Sequence, residues 1–153
     1  MAYQLEFITD IKTIITRDLE ALKTEIEETD ESILWHTIPG LINPVATLAH
    51  HICGNLRHFI GATLGEDGYI RDRSDEFANR NITKPELLLE IEHTSEAVEA
   101  ALSQLSPEEL TSEMKELPAH LKGKSVGFFL IQLCCHLSRH RGQLNYLKRI
   151  QEA

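Results

Sequence analysis

His136 and His140 stand four residues apart in the segment His136-Leu-Ser-Arg-His140-Arg-Gly-Gln143, a spacing that stacks two imidazoles one turn apart on the same face of a helix. Neutral imidazole is a ligand for zinc and other divalent ions. Both residues fall on the line through Phe129, Leu133, Leu144 and Leu147, which a helix would turn toward a core. Two bare imidazoles there would each carry a desolvation cost of about 1–3 kcal/mol. A cation that accepts both lone pairs removes that cost, and a water-filled pocket would also relieve it. Gln143 follows on the same face, placed to support a ligand or to touch a substrate.

A second line repeats the pattern. Leu48, His51, Asn55, Phe59 and Ala62 are spaced three, four, four and three apart, so His51 and Asn55 share one helix face. His50 lies about 100° off that face and flanks it, while His58 sits at its edge as a supporting residue. If the two helices face each other at the usual separation of about 8–10 Å, His51, His136 and His140 can converge on one point. Three neutral nitrogens with open positions beside them suit a catalytic metal better than a closed structural one. Asn55 and Gln143 are then candidate substrate contacts. Arg57 and Arg141 are candidates for an anionic substrate group, although both project off the histidine lines. His36, His93 and His120 fall in loops or off the apolar lines and read as surface residues.

Other chemistries fit less well. A di-iron carboxylate bundle needs two Glu-x-x-His motifs; only Glu90-Ile-Glu-His93 matches, and His93 faces away from the Ile91 stripe. Cys53, Cys134 and Cys135 point away from the histidines and read as small packing residues. The chain has no Gly-rich phosphate loop, nucleophile elbow or His-Glu-x-x-His motif. No carboxylate lies on the inner lines of the two histidine helices, so no general base is evident.

Four stretches carry apolar residues at helical spacing and would position these groups. The first runs from about Gln4 to Glu28 through Leu5, Ile8, Ile11, Ile15, Leu19, Leu22 and Ile26. Asn43-Pro44 reads as an N-cap followed by proline at the first helical position of a second, nearly uncharged helix reaching Leu64. Thr83-Lys-Pro-Glu86 is a capping box opening a third, to about Leu105. Ser106-Pro-Glu-Glu109 signals a short turn, and a fourth helix follows Ser125 to about Gln151. No strand period is present. The expected architecture is an all-α four-helix bundle, one domain spanning residues 1–153, with inter-helix connections longer than the common span of about 2–8 residues. The connection Tyr69–Asn81 reads as a solvated loop pinned by Phe77.

Composition narrows the partners. The 153 residues are 42% hydrophobic and 25% charged, with 15 Lys+Arg against 24 Asp+Glu and a formal charge of −9. That charge opposes binding to nucleic acid or to an anionic membrane surface. Three cysteines, two of them adjacent, do not form a secreted disulfide framework, and the acidic start lacks a signal-peptide pattern. The uncharged stretch Ser32–Leu56 is interrupted by Pro39, Gly40, Asn43, Pro44 and two histidines, which argues against a membrane span. A cytoplasmic location is expected.

His51-Ile-Cys-Gly54-Asn55-Leu-Arg57 and His136-Leu-Ser-Arg-His140-Arg-Gly142-Gln143-Leu-Asn-Tyr146 together resemble the two histidine signatures of the DinB-like family, the damage-inducible and thiol-transferase-related helical metalloenzymes. The likeness extends to Trp35, Arg71–Phe77 and Pro107–Leu110. It implies a bundle, commonly a homodimer, with a divalent metal on His51, His136 and His140. It also implies a small-molecule substrate and, in some relatives, a low-molecular-weight thiol that the metal activates for transfer to an electrophile. Zn²⁺ or Ni²⁺ is the expected ion, and hydrolysis is as open as thiol transfer. The competing expectation is a non-catalytic metal- or ligand-binding dimeric bundle acting in a stress response.

Overall fold

The computed structural model describes residues 1–153. The chain is helical and contains no strand; one isolated antiparallel bridge joins Glu113 to Ser125. Helix α1 spans Ala2–Glu28 and buries Ile8, Ile11, Ile15, Leu19, Leu22 and Ile26 as sequence periodicity predicts, whereas Leu5 at the start of the same line is exposed. It ends at Thr29, whose backbone N–H donates to the carbonyls of Glu25 and Ile26. A short helix α2, Glu31–Leu34, follows under an Asp30 cap and sends Leu34 into the core.

Helix α3 spans Val45–Leu56, and every residue in it except His50 is buried. Its cap differs from the Asn43 expectation by one residue: Pro44 itself is the N-cap, its carbonyl accepting the Leu48 N–H, and because proline carries no side-chain acceptor no side chain closes the end. The helix continues as a π-helical segment, Arg57–Ala62. Helix α5, Lys84–Gln104, opens on the full capping box: Thr83 accepts from the Glu86 N–H, and Glu86 accepts from the Thr83 N–H at 2.8 Å. Ser106 and Glu109 repeat that exchange ahead of a 3₁₀ turn, Glu109–Thr111. A second 3₁₀ turn covers Ala119–Leu121. Helix α6, Val126–Glu152, starts from Ser125, which accepts from the Phe128 N–H.

The Tyr69–Asn81 connection departs from a plain solvated loop. Arg73–Ala78 form a helix, α4, capped by Asp72, and Glu76 at its centre is 1% exposed. The reason is local and tertiary at once. Asp72 satisfies the first free N–H groups, and the turn it starts lies against α3.

Helix α1 packs on α5 and α6, and α3 packs on the same two helices. One cluster of 31 buried apolar residues fills the space between them. The α3–α6 contact places the two histidine lines face to face. No helix is long and apolar enough to cross a membrane.

Candidate metal centre

His51 enters from α3, and His136 and His140 enter from α6. Nε2 of His136 lies 3.2 Å from Nε2 of His51 and 3.1 Å from Nε2 of His140. One ligand atom from each ring falls within 4.8 Å of the others. Nitrogens bound to one tetrahedral zinc at about 2.0–2.1 Å would be about 3.3 Å apart, close to the two separations from His136.

The hydrogen bonds behind the rings fix which nitrogens face inward. Nδ1–H of His51 donates to Oε2 of Glu76 at 2.7 Å, and Nδ1–H of His140 donates to Oε1 of Gln143 at 2.7 Å. In neutral rings both Nε2 atoms are then bare acceptors, and both are turned toward His136. A single N–H on His136 Nε2 can serve the two only as a shared donor. Three lone pairs on a divalent ion is the arrangement such a donor set fits, with the outer nitrogens already held as metal-binding histidines are usually held.

Protonation would disrupt this arrangement, and the surroundings oppose it. Burial pushes the pKa of His136 down to about 3, helped by the charges that His140, His51, Arg139 and Arg71 would place nearby. Burial lowers His140 as well, against the opposing hydrogen bond to Gln143. The carboxylate of Glu76 is also buried, which alone would raise its pKa, but hydrogen bonds from His51 and Arg71 outweigh that and keep it low. Arg71 reaches it twice, from Nε to Oε1 at 2.6 Å and from Nη2 to Oε2 at 2.9 Å. Phe77 covers the other side of His51, its ring centroid 4.8 Å away.

Gly54 makes room for this. A Cβ built there would collide with Oε1 of Glu76 and lie 2.7 Å from its Cδ. Glycine inside an apolar helix, one turn from His51, is the sequence sign that another group approaches closely. The Glu76–Arg71 pair was not legible from helix periodicity, because it arrives from a connecting segment and not from the inner line of either histidine helix.

The remaining candidates separate. Asn55 lines a cavity of about 760 Å³ that opens over the three histidines. Gln143 acts behind His140 and does not line that cavity. Arg57 stacks 4.3 Å above the Tyr69 ring and lies 4.0 Å from Asp67. Arg141 lies 3.0 Å from Asp18 and 3.8 Å from Glu25. Neither arginine reaches the cavity, since each is engaged by carboxylates or an aromatic ring elsewhere. His58 is on the cavity wall with Nε2 3.1 Å from Glu116. His120, expected at the surface, is exposed but also lines the cavity, because the Ala119–Leu121 turn supplies both His120 and Leu121 to the lining. His50 flanks the site as its angle predicts: Nδ1 lies 2.8 Å from both oxygens of Glu90. Cys53 is buried, and no cysteine joins the cluster.

No curated protein and no solved structure matches the chain significantly. The sequence profile of the family described as "Protein of unknown function (DUF1572)" matches residues 4–153, and the chain belongs to that family.

Proposed function

We propose that the protein is a divalent-metal-dependent enzyme of DinB-like type, a four-helix bundle in which α1, α3, α5 and α6 are the bundle helices and His51, His136 and His140 hold the ion. The observation that carries this reading is the convergence of three Nε2 atoms whose rings are oriented from behind by Glu76 and Gln143. Zinc or nickel suits three neutral imidazoles. Such an ion supplies Lewis acidity, lowering the pKa of a water molecule or a thiol toward neutrality.

The chain's own residues divide the remaining work. Glu76 has its oxygens taken by His51 and Arg71, so it orients a ligand and does not abstract a proton. The His58–Glu116 couple on the cavity wall is the group available for proton transfer. Phe59, Phe77 and Phe129 give the cavity part of its apolar lining. These features favour transfer of a small thiol to an electrophile, or hydrolysis, within a pocket of ordinary ligand size. The engagement of Glu76 also favours a second reading, a bundle that binds a metal and a ligand without turnover.

Elemental analysis of protein purified without a histidine tag or added metal tests the site. We expect about one divalent ion per chain in the wild type and loss of it in His136→Ala. Equal metal content in the two overturns the reading. Turnover of thiol and electrophile pairs or simple esters by the loaded wild type, abolished in His140→Ala, separates enzyme from binder.

A further inference from the structure

The cavity above the histidines is cationic in a chain that is acidic overall. Of its 18 lining residues, Arg71, Arg73 and Arg139 are arginines, His58 and His120 add two further imidazoles, and Glu116 is the single carboxylate. The whole chain has 24 acidic residues against 15 basic ones, so the imbalance is local. Glu116 already has His58 as its partner, and Arg71 is committed to Glu76.

Arg73 and Arg139 are different. The chain's arginine–carboxylate pairs use Arg17, Arg57, Arg71 and Arg141, which leaves these two without a counter-charge. The guanidinium of Arg73 lies 5.2 Å above the Phe77 ring, and Phe77 in turn covers His51. Arg139 sits between the two α6 histidines in sequence and contributes positive potential at both. Positive groups gathered in a concave, partly apolar site raise the local concentration of anions.

A third observation also points to a ligand. Asn55 is 8% exposed, lines the same cavity, and its Oδ1 is buried without a hydrogen-bond partner. A side-chain amide can turn either its oxygen or its NH₂ toward a bound molecule. The lining also carries an apolar set, Phe59, Phe129, Leu117, Leu121 and Leu133.

We propose that this cavity takes a small organic anion, a molecule with a carboxylate or phosphate head and an apolar body, and that Arg73 of α4 and Arg139 of α6 hold the head group beside the histidine cluster. The inference rests on the metal-centre reading for the chemistry done there, and it replaces Arg57 and Arg141 as anion contacts. Asn55 adds a neutral polar contact, and the phenylalanines receive the apolar body.

The test uses full-length, zinc-loaded protein and three probes titrated by calorimetry: benzoate, phenyl phosphate and neutral benzamide. We expect the two anions to bind, more weakly as salt rises, and benzamide to bind at least tenfold more weakly. The double variant Arg73→Gln/Arg139→Gln should weaken both anions by about tenfold or more, the loss of one or two charge-assisted hydrogen bonds. Both arginines are exposed, so helicity and zinc content should stay at wild-type values. The relative affinities of benzoate and phenyl phosphate tell carboxylate from phosphate. Unchanged anion binding in the double variant, benzamide binding as tightly as benzoate, or no binding of either anion by the wild type overturns the proposal. Zinc content is read on the same samples: arginine-dependent benzoate binding by a wild type that holds no zinc would overturn the metal-centre reading alone.

Discussion

Glu76 and His51 are 25 residues apart in sequence, yet the carboxylate of one accepts the Nδ1–H of the other at 2.7 Å, with both side chains almost fully buried. A buried carboxylate behind an imidazole fixes its tautomer and increases its basicity. Glu76 is therefore a positioning residue for the proposed ligand. Replacing it by Gln keeps the size and a hydrogen-bond acceptor but removes the charge that also neutralises Arg71. We expect Glu76→Gln to lower zinc affinity by about 10–100-fold, measured by competition with a chromophoric chelator. Unchanged zinc affinity would make the carboxylate a structural partner of Arg71 only.

The same relationship makes a prediction at Gly54. Alanine is better than glycine inside a helix by about 1 kcal/mol, so a free site would gain stability from the exchange. Here the added Cβ enters the space of the Glu76 carboxylate. Gly54→Ala should forfeit the propensity gain and displace Glu76, so that the melting temperature falls and zinc affinity drops with it. A variant that melts higher and binds zinc as tightly as the wild type would show that Glu76 can shift at no cost.

Sequence periodicity made the long helices legible because their inner faces repeat every three or four residues: Ile8 through Ile26 in α1, Leu87 through Leu102 in α5, and Leu133 through Leu147 in α6 are buried as that repeat requires. It also separated His51 from His50, since a 100° rotation decides which ring faces α6. What periodicity could not supply came from α4. Its six residues are too few to display a period, and Glu76 is buried by tertiary contacts with Arg71 and His51. A lone acid in a charged connection carries no such information. Arg141 was misleading for the complementary reason. It neighbours His140 in sequence, but one step along a helix turns a side chain toward a different helix, here α1.

The metal-free protein should lose stability as the solution is acidified. In the unfolded chain His136 titrates near its ordinary value of about 6.5, whereas in the fold it is pushed down to about 3, and His140 is lowered too. Between those values the unfolded state binds more protons, so stability rises with pH; it is fully present above about 6.5 and declines as pH falls through that window. His50 has the opposite sign. Burial would lower its pKa, but Glu90 and Asp75 raise it, so its contribution is complete below about 6.5 and fades as pH rises through its folded value. Urea midpoints measured from pH 7 to pH 5, above most carboxylate titrations, should fall in the metal-free wild type and fall less in His136→Ala. Equal slopes would remove His136 as the source.

Arg141 provides the control that separates folding from the site. Its guanidinium meets Asp18, which is 2% exposed and otherwise paired with Arg17 from the helix surface. Substituting methionine keeps the apolar stem but leaves the Asp18 carboxylate short of a partner in the α1–α6 interface. Stranding part of a buried charge costs about 1–3 kcal/mol, and a chain of this length shifts its melting temperature by about 2–4 °C for each kcal/mol. Arg141→Met should therefore melt about 2–12 °C lower while its zinc content and its affinity for benzoate stay at wild-type values. Loss of benzoate binding with the melting temperature unchanged would instead return Arg141 to the substrate site and place the anion away from Arg73 and Arg139.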